Sequence, residues 1–239
     1  EAMEQMLDRN KRAMSAIIGM FVPEKKAYFE DYICDDGIGM GPYKVACTLH
    51  RDKNGVAVFD FEGTDPQSSS SINFLLNEEM FKMFLGAFTI NIFDPQILFN
   101  DGFYDLVDVR IPAGTILKPM KPASLSSRTH MLGRIFDIMG GLLGQGAPDA
   151  LNAAGFSDSP HFMYSGYDSS GEWFQLYQIG FGGIPGRPVG DGPDGHSLWP
   201  SFTNVPNEFL EAYFPLRIDK YESIPDSGGA GLHRGGNGI

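Results

Sequence analysis

Over residues 1–19, Met3, Met6, Leu7, Met14, Ile17 and Ile18 recur on one side at helical spacing, and the pattern predicts a helix that Gly19 stops and Pro23 cannot continue. Its methionine stripe reads as core or inter-subunit packing. An aromatic-rich strand follows at 26–34, and a turn at 35–42. Residues 43–50 and 56–61 form the clearest hairpin, closed by Asn54-Gly55. Both faces of 56–59 are apolar, so that strand is expected to be covered on both sides. A polar loop at 63–71 leads to Asn73, which opens a helix to about 93 and stands either as its cap or as a substrate contact. Alternation at 104–111 predicts a strand ending at Pro112-Ala113-Gly114. Met131, Ile135, Ile138, Met139 and Leu142 predict a helix over 128–143, capped by Ser126 or Ser127. A second hairpin, 154–164 with 173–181, turns at 168–171. A short helix at 207–213 and a strand at 216–221 complete the chain. The fold class is α+β, with antiparallel hairpins and sheets packed with three main helices. A domain boundary is expected near Ala147-Pro148.

Composition narrows the function. The chain has 239 residues, 42% of them hydrophobic, enough for one large domain or two small ones. A net charge of −12 excludes non-specific nucleic-acid binding and an anionic membrane surface as partners. No apolar run approaches a membrane span and no signal peptide is visible, so the expected compartment is cytoplasmic. The chain opens on Glu1 rather than Met and ends directly after a glycine block, which reads as a piece cut from a longer subunit. Cys34 and Cys47 cannot furnish the four ligands of a zinc site. A hairpin about residues 39–42 could bring them together, but free, buried thiols are the expectation. Asp35 and Asp36 lack the glutamate of a calcium loop and read as solvated turn acids.

Candidate chemistry concentrates in two glycine-rich stretches. Six of the thirteen residues from Asp226 to Gly238 are glycine, and residues 180–192 form a second such loop. Each holds one arginine and carries an aspartate. Glycine at this density supplies positive φ or room for close approach to the backbone. Arg187, Asp191 and Arg234 are the candidate catalytic residues: a guanidinium fork suits carboxylates and carbonyl oxygens, and bare glycine backbone exposes N–H groups to an oxyanion. Asn73, Arg128, His161, His196, Asn204 and Glu208 are the candidate substrate contacts. His161 and His196 stand out among five histidines because each borders a glycine or aromatic loop. Arg128, His130 and Arg134 oppose the dipole of their own helix, which asks for an acid partner or a bound anion. The four serines of 68–71 read as flexible surface able to donate to an anion. The sequence shows no H-x-x-x-H pair, no G-x-S-x-G and no phosphate-cradling Gly-Lys-Ser/Thr loop. No metal ligands are assigned.

Four ordered motifs carry a resemblance: "FEGTDPQSSSSIN" (61–73), "RPVGDGPDGH" (187–196), "NEFLEAYFPLRIDKYE" (207–222) and the closing "DSGGAGLHRGGNG". Together they resemble the hydantoinase B/oxoprolinase family from about Tyr28 to the end. The resemblance implies the C-terminal part of a subunit acting on a small-molecule substrate in a hetero-oligomer. Its partner would be a hydantoinase A-like, ATP-binding subunit or domain. ATP and Mg would sit mainly on that partner, and any Zn or Mn in sequence upstream of this chain. The implied reaction is ATP-dependent hydrolysis of a cyclic amide such as 5-oxoproline or a hydantoin; related members carboxylate acetone or acetophenone. Phe181, Ile184 and Pro185 interrupt the usual glycine cluster. With Trp199, Phe202 and Phe209 they point towards a more apolar site, as a ketone would need. A non-catalytic assembly region is the rival from another class. The catalytic reading requires both glycine loops to fold together and aim Arg187 and Arg234 into one hollow.

Overall fold

The computed structural model describes residues 1–156, 161–196 and 205–239. The chain divides into two compact units, Glu1–Asn152 and Ala153–Ile239. The first contains α1 (Ala2–Phe21), β1 (Ala27–Ile33), β2 (Tyr43–Arg51), β3 (Ala57–Asp60), α2 (Glu78–Phe93), a 3-10 turn (Asp101–Leu106), β4 (Val107–Arg110) and α3 (Arg128–Leu143). The α+β class holds. The sheet order is β1-β2-β3-β4. β1 and β3 run antiparallel to β2, with Phe29 opposite Cys47 and Leu49 opposite Phe59. β4 runs parallel to β3, so α2 is the crossover that a parallel pair requires.

Burial explains the helices. Met131, Ile135, Ile138, Met139 and Leu142 of α3 are all buried, and α3 packs on β1 closely enough that a Cβ at Gly141 would lie 2.6 Å from the Phe29 ring. Phe81 of α2 meets Phe59 and Phe61 edge-on, at centroid distances of 4.9 and 5.3 Å. Such pairs add about 1 kcal/mol each beyond area burial. β3 is covered on both faces, since Ala57, Val58 and Phe59 are all buried.

Several local expectations change. The second helix begins at Glu78, and Asn77 rather than Asn73 caps it, accepting the Met80 N–H at 2.7 Å. Residues before it cannot coil because Phe74 and Leu76 donate their N–H groups to the Ile116 and Leu117 carbonyls, each at 2.9 Å. The strand predicted from 104 starts at Val107, because Asn100 accepts the Gly102 N–H and winds the 3-10 turn. Cys34 is exposed, not buried. Burial holds the Cys47 thiol well above its ordinary pKa, and Cys47 faces Phe29 across the ladder, so both thiols are free. The acid partner expected for the α3 cations exists for Arg134, whose Nη1 lies 3.0 Å from Asp31 Oδ2 and 3.8 Å from Asp137 Oδ2.

Asp36 is buried rather than solvated. Burial pushes its carboxyl up, but hydrogen bonds outweigh that and leave the pKa lowered. The Met40 and Ile38 N–H groups donate to Oδ1 at 3.0 and 3.1 Å, and the Tyr43 and Ser68 hydroxyls to Oδ2 at 3.1 and 3.2 Å. Ser68 is itself buried, so the serine loop is anchored here. A lowered folded-state pKa stabilises above the unfolded value, near about 4, and that contribution is lost as pH falls through the folded value. Wild-type thermal stability is therefore expected to drop on acidification below about pH 4, and Asp36→Asn to flatten that slope. Calorimetry across pH measures it; an unchanged slope removes the carboxylate from the account.

The second unit contains β5 (His161–Tyr167), β6 (Trp173–Ile179) and α4 (Asn207–Tyr213). β5 and β6 form an antiparallel ribbon. Asp168 Oδ1 accepts the Ser170 and Glu172 N–H groups in its turn. The strand expected at 216–221 does not form. Its ladder groups are spent elsewhere: the Ile218 N–H donates to Glu211 Oε1 at 2.8 Å.

Candidate functional site

The glycine stretches of the second unit are laid against one another backbone to backbone. Ile184 N–H donates to the Pro193 carbonyl at 3.0 Å, and Gly236 N–H to the Ile184 carbonyl at 2.8 Å. Gly192 N–H donates to the Arg234 carbonyl at 2.8 Å, and Gly195 N–H to the Asn237 carbonyl at 2.9 Å. His196 and Gly182 exchange both backbone bonds. A Cβ would strike a carbonyl oxygen at Gly183 (that of Gly236), Gly192 (Ile184) and Gly236 (Pro193). None of these three has positive φ. Close approach, not left-handed conformation, is what these positions demand.

Asp191 is the node of the cluster. Its carbonyl accepts Nε–H and Nη2–H of Arg187 at 3.0 and 2.8 Å. Its carboxylate Oδ1 accepts the Arg234 backbone N–H at 3.0 Å and stands 3.8 Å from His233 Nδ1. Arg234 directs Nη1 to the Gly235 carbonyl at 3.0 Å and to Asn237 Oδ1 at 3.3 Å. Its Nη2 lies 3.5 Å from Asp194 Oδ1, which accepts the Asn237 N–H at 2.7 Å. Arg187, Asp191 and Arg234 are thus brought together.

Beside them opens a cavity of about 470 Å³, walled by glycine backbone from Gly182, Gly183, Gly186, Gly235 and Gly236 and by Phe156 and His233. Neither guanidinium lines it. The expectation that both arginines point into a common hollow is corrected: their forks grip loop carbonyls, because closely packed glycine backbone leaves acceptors that only a long cationic donor can reach. Among the described residues, His233 is the titratable side chain on the wall. It belongs to the closing block, yet sequence reasoning passed over it, as it did Asp194 and Asn237; the repeated Asp-Gly of Asp191-Gly192 and Asp194-Gly195 was the available signal.

The other candidates scatter. His161 sits on β5 with the Tyr177 hydroxyl against its Nδ1. His196 contributes backbone to the Gly182 bridge. Glu208 is exposed in the first turn of α4. Asn204, Trp199 and Phe202 lie outside the described residues. Asn73 and Arg128 belong to the first unit. Asn73 is buried there, accepting the Ser68 N–H at 2.8 Å and donating to the Ser68, Ser70 and Ser124 carbonyls at 2.9, 3.0 and 3.1 Å. Its amide is fully engaged in holding the loop. Arg128 is exposed at the start of α3, whose Ser127 makes no side-chain cap bond.

A family model described as hydantoinase B/oxoprolinase matches residues 1–239. An uncharacterized protein of Methanocaldococcus jannaschii is 31% identical over 189 residues, 78% of this chain and 32% of that protein. The B-type subunit of a putative D-/L-hydantoinase from Pseudomonas sp. is 25% identical over 99% of this chain and 41% of its own length. The chain therefore spans about a third to two fifths of these curated relatives. Among solved structures, the ATP-dependent caprolactamase of Pseudomonas jessenii superposes with a TM-score of 0.78 at 24% identity, over 97% of this chain and 40% of that one. Nucleotide-free acetone carboxylase gives 0.76 at 18%, over 95% and 32%. At such identities the two structures bear on fold alone.

Proposed function

The chain belongs to the hydantoinase B/oxoprolinase family, and on that premise we propose that it is part of a subunit of an ATP-dependent enzyme that opens a cyclic amide at its carbonyl carbon. The observation that carries the reading is the Asp191 node, which fixes Arg187, Arg234 and His233 beside the glycine-walled cavity. In this reading the cavity, lined by glycine backbone together with Phe156, Ile184, Pro185 and Ile224, takes a small, largely apolar ring. Arg187 commits Nε–H and Nη2–H to the Asp191 carbonyl and does not line the cavity, so in this reading it holds the loop in place rather than meeting the substrate. Asp191 orients His233, whose other ring nitrogen takes a proton from the water that attacks the carbonyl carbon and gives it to the amide nitrogen as the C–O bond forms and the C–N bond breaks.

ATP and Mg do not fit this chain's own groups. The sequence has no Gly-Lys-Ser/Thr phosphate loop, and among the described residues no three His, Cys, Asp or Glu side chains converge. We assign both to a hydantoinase A-like partner subunit in a hetero-oligomer, in keeping with relatives that are named as single subunits of a hydantoinase and of a caprolactamase. The test is the full subunit combined with its ATP-binding partner and offered 5-oxoproline, a hydantoin, caprolactam, acetone and acetophenone. ATP-dependent release of the ring-opened amino acid is expected. Bicarbonate-dependent formation of a 3-oxoacid, with the cyclic amides untouched, overturns the reading in favour of ketone carboxylation.

A further inference from the structure

Two Asp-Gly pairs grip the closing block in the same way. Asp191 Oδ1 accepts the Arg234 N–H at 3.0 Å, and the N–H of the following Gly192 donates to the Arg234 carbonyl at 2.8 Å. The pattern then repeats. Asp194 Oδ1 accepts the Asn237 N–H at 2.7 Å, and the Gly195 N–H donates to the Asn237 carbonyl at 2.9 Å. Both carboxylate bonds join residues 43 apart in sequence, so the two clasps share one register, and a slip along the chain breaks both. Side chains tie them together. Arg234 reaches from the first clasp to the second, with Nη1 donating to Asn237 Oδ1 at 3.3 Å and Nη2 lying 3.5 Å from Asp194 Oδ1. Asn237 commits its whole amide there: Oδ1 also accepts the Gly228 N–H at 3.2 Å, and Nδ2 donates to Asp194 Oδ2 at 3.4 Å.

The clasps stand differently to the cavity. His233, which lines it, directly precedes Arg234 and is placed by the first clasp. Neither Asp194 nor Asn237 lines it. A chain pinned at one residue can still pivot there; pinned at two residues up to about 10 Å apart, it cannot. The second clasp therefore removes the pivot that would swing the imidazole away from Asp191, whose Oδ1 stands 3.8 Å from Nδ1. Misplacing a reacting group by about 1 Å can cost about 100-fold in rate.

We propose that Asp194 and Asn237 are positioning residues: the second clasp fixes the orientation of the closing block and so holds His233 at the cavity wall for proton transfer. This rests on the reading of Asp191 and His233 given above. The test exchanges the paired groups in the full subunit combined with its ATP-binding partner, with turnover expressed per intact complex. Asn237→Asp sets carboxylate against carboxylate and is expected to lower kcat about 10-fold or more, with KM within about threefold of wild type. Adding Asp194→Asn reverses the pair: the new amide can accept the N–H of residue 237 and donate to the new carboxylate, which also receives the Arg234 guanidinium. The double variant is expected to return to within about threefold of wild type. Asp194→Asn alone, which keeps an acceptor for the Asn237 N–H, is the milder probe should Asn237→Asp not assemble, and is expected to lower kcat about 5-fold. A merely structural contact would lower the melting temperature and leave kcat per intact complex unchanged. That outcome, or a double variant as slow as Asn237→Asp, overturns the proposal. With Asp191→Asn as the reference, turnover lost there but unchanged in Asn237→Asp overturns the second clasp and leaves the functional reading in place. Absence of ring opening by the wild-type complex overturns both.

Discussion

Gly236→Ala is expected to unfold the second unit, and Gly229→Ala to leave it intact. At Gly236 an added Cβ meets the Pro193 carbonyl oxygen, a backbone atom that cannot rotate away. That carbonyl already accepts the Ile184 N–H, and Gly236 itself donates to the Ile184 carbonyl. Moving either partner to make room breaks bonds on both sides of residue 184. Overpacking of this kind costs about 1–3 kcal/mol, and each lost hydrogen bond about 1 more. A net loss of about 4 kcal/mol exceeds what a unit with one buried hydrophobic side chain among its described residues can absorb. Gly229 has nothing within 4 Å of an added Cβ and does not have positive φ, so alanine there should change stability by no more than about 0.5 kcal/mol. Hydrogen exchange at the Ile184, Gly192 and Gly236 amides reads both variants. Wild-type protection in Gly236→Ala removes the close-approach account of the glycine block.

That contrast also marks the limit of what a sequence reveals. Glycine density announced unusual backbone, but two causes produce the same density, and only the neighbouring carbonyls distinguish them. Elements specified by local pattern were legible: the period of Met131, Ile135, Ile138 and Leu142 delivers α3 over Arg128–Leu143, and Asn54-Gly55 lies between β2 and β3. Elements decided by a distant partner were not. Asn73 and Asn77 are equivalent as caps on local grounds, and the choice rests with Ile116 and Leu117 across the fold. Residues 216–221 alternate as a strand should, yet among the described residues no strand pairs with them. The parallel pairing of β4 with β3 has no local signature at all. At the candidate site, Arg187, Asp191 and Arg234 could be picked out by residue type. Their division of labour could not, because what Asp191 holds with its carbonyl and what it holds with its carboxylate depend on segments far apart in order.

Asp191→Asn is expected to lower turnover by about 100-fold or more while the complex keeps its mass. The amide preserves the shape of the node: the main-chain carbonyl still receives the Arg187 fork, and the side-chain oxygen can still accept the Arg234 N–H. What it removes is the charge facing His233 Nδ1 at 3.8 Å, which in the proposed reading orients the ring for proton transfer. The substitution therefore separates chemistry from scaffolding. Arg234→Lys probes the other side. A lysine cannot hold the Gly235 carbonyl, Asn237 and Asp194 at once, so it should loosen the block and raise KM along with lowering kcat. Steady-state kinetics beside native mass measurement distinguish the cases. Normal turnover per intact complex in Asp191→Asn, or loss of the oligomer with undiminished activity in what remains, would make these loops an assembly device and move the chemistry to another part of the enzyme.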